Sequence, residues 1–103
     1  MGGSCYQGTT VTDSAERRTI LYTGTVQGVG FRFTTVRVLA DVAVSGYVRN
    51  LVDGRVELVV EGEPSQTETA AERVRRALGS QIRAEAQDLG PATGEFQGFE
   101  IRR

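Results

Sequence analysis

The chain has 103 residues and a formal net charge of −1, with 12 Arg, 13 Asp plus Glu, one Cys, and no Lys, His or Trp. That length holds one small domain with a modest core, and the charge balance lacks the basic stripe that a nucleic-acid or anionic-membrane surface requires. Without His or Lys there is no Ser-His-Asp or Cys-His relay, no Cys/His zinc cluster, no Walker A loop and no Schiff base; chemistry is left to Arg, carboxylates, amides, hydroxyls and backbone N–H groups.

Residues 1–18, MGGSCYQGTTVTDSAERR, are rich in Gly, Ser and Thr, with Val11 the only aliphatic residue larger than Ala. They read as a flexible extension. Cys5 within it has no charged neighbour to activate it and no Arg six positions on, so it reads as an incidental thiol rather than a phosphatase nucleophile. The first residues pair no basic stretch with an apolar one, so a secretory leader is not expected; Tyr6 stands where a myristoylation motif wants Ser or Thr, and no apolar run approaches the roughly 18–20 residues of a membrane span. A cytoplasmic protein is the expectation.

The folded domain is expected over 19–103. TILYTGTV (19–26) is β-branched and aromatic, a first strand, and QGVGF (27–31) breaks it with two glycines. From Arg32 to Ala43 the signals conflict. Thr34, Thr35, Val36, Val38 and Val42 are poor helix formers, yet Val36, Leu39, Ala40 and Ala43 fall at i, i+3, i+4, i+7, which predicts an amphipathic helix. Ser45–Leu51 is a second strand, Val52-Asp53-Gly54 a hairpin turn, and Arg55–Glu61 a third strand with Val56, Leu58 and Val60 inward and Arg55, Glu57 and Glu61 outward. A second helix opens at Pro64, stops at Gly79, buries Ala71, Val74, Ala77 and Leu78, and exposes a Glu72–Arg76 pair. Ile82, Ala84 and Ala86 mark a fourth strand, Phe99 and Ile101 a short fifth. The order βαββαβ plus a terminal strand predicts an α+β, ferredoxin-like sandwich: an antiparallel sheet with two helices on one face.

QGVGFR joins a strand end to a helix start, where glycines let consecutive N–H groups form a concave nest and the helix adds its positive end. Both favour a phosphate-sized anion. An anion there would also explain Arg32, a cation in a first helical turn that the macrodipole disfavours. A crossover helix makes the first two strands parallel, so Asn50, ending the second, lies at the same sheet edge as the loop. The same residues also suit a plain Gly-containing turn with an exposed Arg, and an Asn that merely flanks a hairpin.

Gly24-Thr25-Val26-Gln27-Gly28-Val29-Gly30-Phe31-Arg32 resembles the first signature of the acylphosphatases. Gly46-Tyr47-Val48-Arg49-Asn50, with Gly54, Val56 and Gly62, resembles the second, and TGEFQGFEIR (93–102) the family's last strand. The resemblance spans 19–103. It implies a metal-independent, cofactor-free hydrolase of the carboxyl–phosphate bond of acyl phosphates. Gln27, Gly28, Val29, Gly30 and Phe31 would form the phosphate loop, Arg32 would hold the phosphoryl group with the amides of 28–32, and Asn50 would orient the attacking water. Inorganic phosphate or sulfate would compete for the site, and a monomer is expected. Val42-Ala43 stands where the family has Leu-Gly, Tyr47 where it often has Trp, and the usual Gly-Pro after the second helix is absent; these are packing and cap positions. The chemistry agrees with the missing residues: a carboxylate is a good leaving group that needs no general acid, and fixed N–H donors with one Arg can stabilise charge on the equatorial oxygens. Two rivals compete. An RNA-binding ferredoxin-like module would need aromatic residues on RVELVVE (55–61), which has none. A domain serving a carbamoyl-transfer enzyme, as in hydrogenase-maturation factors, would sit in a much longer chain; a free-standing enzyme is expected here.

Overall fold

A computed structural model describes residues 15–28 and 30–102; the earlier part of the expected extension, with Cys5, and Val29 of the loop lie outside the described residues. The elements in chain order are β1 (Glu16–Gly24), α1 (Phe31–Val38), β2 (Ser45–Asn50), β3 (Val56–Gly62), α2 (Pro64–Leu78), a 3-10 turn (Gly79–Gln81), β4 (Ile82–Pro91) and β5 (Phe99–Arg102). The strands form one sheet in the order β4-β1-β3-β2-β5. Ile20 and Tyr22 of β1, Val48 of β2, and Val56, Leu58 and Val60 of β3 point to one face, as period-two alternation requires. There they join Phe31 and Leu39 of the α1 region and Ala70, Ala71, Val74 and Leu78 of α2 in one core cluster. The α+β, ferredoxin-like architecture is the one expected.

Four details differ from the sequence reading. The first strand begins at Glu16 rather than near Thr19, because β3 and β4 are both long enough to pair with it: Glu16 lies opposite Gly62 on one side and Pro91 on the other. Its charges are matched within the sheet, Arg17 with Glu61 and Arg18 with Glu16. The first helix stops at Val38 instead of reaching Ala43, and residues 39–43 continue as turns. Its β-branched residues weaken it, and its buried side is Phe31, Thr35 and Leu39 rather than Val36, Leu39, Ala40 and Ala43; Ala40 and Ala43 are exposed. In α2, Thr67 and Ala70 are buried and Ala77 is exposed.

The fourth difference is that the sheet is mixed. β1–β3, β1–β4 and β2–β3 are antiparallel, but β5 runs parallel to β2, with Val48 opposite Ile101. The cause is topological. β4 and β5 lie on opposite edges, so residues 92–98 cross one end of the sheet, and β5 must then run against β4, the direction of β2. The crossing covers part of the second face. Glu61, expected to be solvated, is buried beneath it and accepts hydrogen bonds from the N–H groups of Thr93 and Gly94. Phe96 of the crossing meets the Tyr47 ring edge-on at 5.7 Å, and the Arg17 guanidinium lies 5.1 Å from its centroid.

Candidate active site

β1 and β2 are separated by β3 and point the same way, so the loop after β1 and the end of β2 meet at one sheet edge. A cleft of about 420 Å³ opens there, lined by Val26, Gly28, Gly30, Phe31, Arg32, Phe33, Asn50 and Ile101. The expected Arg32, Asn50 and loop glycines are thus brought together, although Arg32 and Asn50 are 18 positions apart in sequence.

The loop is fixed at both ends. The Thr25 N–H donates to the Gln81 carbonyl at 2.9 Å. At the other end Phe31 is buried in the core, its ring 5.1 Å from that of Tyr22. Between these anchors Gly28 and Gly30 adopt φ values of 79° and 75°, which an L side chain reaches only at a cost. A Cβ at either position would meet nothing within 4 Å, so backbone angle and not space demands glycine. Gly30 is also the N-cap of α1 and brings no side chain to cap it. The first-turn N–H groups have no helical acceptor, since the ladder begins with the Thr34 N–H donating to the Gly30 carbonyl at 2.9 Å. Such a terminus suits an anion.

Gln27 does something the sequence did not suggest. Its side-chain amide donates to the Leu51 carbonyl at 2.7 Å and to the Arg55 carbonyl at 2.9 Å. It ties the loop to the neck of the β2–β3 hairpin and does not line the cleft. Phe31 likewise sends its side chain into the core, leaving its backbone for the site.

Arg32 is half-buried and forms no ion pair among the described residues, whereas Arg17, Arg49, Arg55, Arg73 and Arg75 each have a carboxylate at 3.1 Å or less. An Arg left without a carboxylate inside a cleft is available to an anionic ligand. The Asn50 side chain makes no hydrogen bond among the described residues, and its Oδ1 is a buried acceptor without a partner. Buried acceptors are rarely left so unless a ligand or water completes them. The hairpin does not use Asn50 as its cap: the Leu51 N–H bonds the Arg55 carbonyl at 2.8 Å, and Asp53 Oδ1 accepts from the Arg55 N–H at 3.1 Å. Among the described residues no group of three or more His, Cys, Asp or Glu is arranged to hold a metal ion, and no helix is long and apolar enough to cross a membrane.

Three cleft residues escaped the site reading, the first of them Val26 at the end of the expected first strand. Phe33 sits in the segment whose periodicity was ambiguous, and Ile101 reaches the site only because β5 pairs in parallel with β2.

Residues 18–101 match the acylphosphatase family model. The chain is 41% identical over 93 residues to the acylphosphatase of Paenarthrobacter aurescens (strain TC1), covering 88% of this chain and 98% of that one. It is 43% identical over 98 residues to the acylphosphatase of Aeropyrum pernix, covering 89% and 93%. The crystal structure of acylphosphatase from Bacillus subtilis superposes with a TM-score of 0.78 at 27% identity, covering 85% of this chain and 99% of that one. The chain belongs to the acylphosphatase family.

Proposed function

We propose that this acylphosphatase works through the cleft at the shared end of β1 and β2, with the loop amides and Arg32 holding the phosphoryl group and Asn50 holding the water that attacks it. One observation carries the reading: among the described residues, the positive-φ glycines of the loop, an Arg without a carboxylate and an Asn whose buried Oδ1 has no partner line one cleft.

The roles follow from the chemistry of each group. An acyl phosphate brings up to two negative charges spread over three terminal oxygens, all acceptors, and backbone amides and the Arg32 fork are donors only. Backbone donors at a helix start are set by the fold, so they would stabilise charge on the equatorial oxygens with little reorganisation. Asn50 cannot act as a base, but its Oδ1 can accept a hydrogen bond from a water and so aim a lone pair at phosphorus. The water attacks phosphorus, the bond from phosphorus to the acyl oxygen breaks, and the carboxylate leaves with the electron pair. The proton of the water passes to a phosphate oxygen, giving inorganic phosphate. No step calls for a metal ion or a second acid.

The test is phosphate release from acetyl phosphate in excess EDTA. Turnover unchanged by the chelator, with competitive inhibition by inorganic phosphate or sulfate, is expected. Activity that appears only on adding Mg²⁺ or Zn²⁺ would overturn the site as drawn.

A further inference from the structure

The large apolar side chains that stand exposed among the described residues are Phe33, Val52, Leu89 and Ile101. Leu89 lies toward the far end of the sheet, opposite Arg18. Of the other three, two line the cleft and Val52 follows Asn50 by two residues. Phe33, 71% exposed, follows Arg32 in the first turn of α1; Ile101, 41% exposed, lies in β5 opposite Val48 of β2; and Val52 is fully exposed just past Asn50 in the hairpin turn. Phe33 and Ile101 line the same cleft as Arg32 and Asn50. Scattered apolar residues on a surface need no explanation, but a group bordering a ligand site does.

Resting on the reading above, we propose that Phe33 and Ile101 form an acyl subsite that selects acyl phosphates with an apolar acyl group of several carbons. The phosphoryl end is held by donors at the base of the cleft, so the acyl end must pass the remaining walls. Those walls offer carbon. The cleft volume of about 420 Å³ falls in the range of pockets that enclose small organic ligands, beyond what a phosphate ion needs. Among the described residues, the cation lining the cleft is Arg32, which the phosphoryl group takes; nearby, Arg55 on the hairpin is paired with Asp53, and Arg102 lies over the Tyr47 ring at 4.2 Å.

Apolar contact made equally in ground and transition states acts through KM. Burial of a methylene is worth about 0.8 kcal/mol, or roughly fourfold, and an open wall yields part of it, about two- to threefold per carbon. The experiment compares acetyl, propanoyl, butanoyl and hexanoyl phosphates, whose leaving carboxylates are nearly equal in basicity, so differences report on binding rather than reactivity. In the wild-type chain kcat/KM is expected to rise along the series, carried by KM. In Phe33→Ala and Ile101→Ala the slope should flatten, and in the double variant the butanoyl-to-acetyl ratio should fall to about one. Inhibition by inorganic phosphate, which has no acyl group, should stay within about twofold in all of them. Both side chains are exposed, and circular dichroism verifies folding. A flat wild-type series, or a slope that survives in the double variant, would overturn the subsite while leaving the phosphoryl site intact. Hydrolysis of none of the four substrates would instead remove the parent reading, and the subsite with it.

Discussion

Glu61 is the buried carboxylate on which the sheet's second face depends. Only 4% exposed, it accepts hydrogen bonds from Arg17 Nε at 2.8 Å, the Thr93 N–H at 2.9 Å, the Thr93 hydroxyl at 3.0 Å and the Gly94 N–H at 3.0 Å. Burial by itself would raise its pKa, but the Thr93 N–H, Arg17, the Gly94 N–H and the Thr93 hydroxyl outweigh burial and hold it down to about 2, against an ordinary 4.5. Because the folded pKa lies below the unfolded one, this stabilisation is fully present above about pH 4.5 and is lost as pH falls toward 2. At 1.36 kcal/mol per pKa unit the displacement is worth about 3 kcal/mol, a large share of a total near 5–15. Urea denaturation of the wild-type chain and Glu61→Gln at about pH 7, 4.5, 3 and 2 measures it. The variant should be less stable by at least about 3 kcal/mol at neutral pH, and most of that gap should close by the lowest pH. Asp41 and Asp53 are also held low, by Arg73 and Arg55, but they are present in both proteins and drop out of the difference. A gap that stays constant across the range would show that the ionised form of Glu61 does not hold the crossing segment.

Arg32→Lys keeps the charge but loses the planar fork, so calorimetry should find phosphate binding weakened about 10- to 100-fold, nearly as far as in Arg32→Ala; binding within twofold of wild type would refute the fork. Asn50→Ala should lower kcat on the order of 10²-fold with KM and melting temperature near wild type; a lower melting temperature with normal turnover per folded molecule would make Asn50 a structural residue. Gln27→Ala loses two hydrogen bonds and should cost about 1–3 kcal/mol of stability, and Gln27→Glu, which sets a carboxylate against the Leu51 and Arg55 carbonyls, should cost more. A Gln27→Ala variant with unchanged melting temperature but weakened phosphate binding would place that side chain on the ligand instead.

Much of the fold was legible because its signals are local. Alternating Val56, Leu58 and Val60, the Asp53-Gly54 turn, and the stretch from Pro64 to Gly79 each declare an element within a few residues. The errors share a cause: they concern what another part of the chain supplies. Glu16, Arg17 and Arg18 look like tail by composition, and only partners on β3 and β4 make them strand. Ala40 and Ala43 fit a helical period, but the helix had ended. Glu61 alternates as a solvent-facing residue until residues 93 and 94 arrive to bond it. At the site, the resemblance singled out Arg32, Asn50 and the loop, and topology explains why they meet. Topology also hid the rest. Nothing in FEIR (99–102) says that the strand will lie parallel to β2 and bring Ile101 to the cleft, and nothing in QGVGF says that the Gln amide will turn to the hairpin.

The shortness of α1 follows from its place in this arrangement. A helix of eight residues with four β-branched positions would be marginal alone. It is held by its first residue, Phe31, packed on Tyr22, and by Leu39, buried just beyond its last turn. Those two contacts fix the N-terminal turn relative to β1, and that turn carries the N–H donors and Arg32. Gln27 then ties the loop to the hairpin that follows β2, so the loop and the end of β2 that carries Asn50 are joined by two hydrogen bonds, and the helix start to β1 by a ring contact. In the proposed site much of the ordering cost would then be met during folding, which is the condition under which fixed dipoles stabilise a transition state most effectively. On the proposed reading, a chain without His or Lys would place its donors for catalysis with little more than glycine angles, one Arg and two amide side chains.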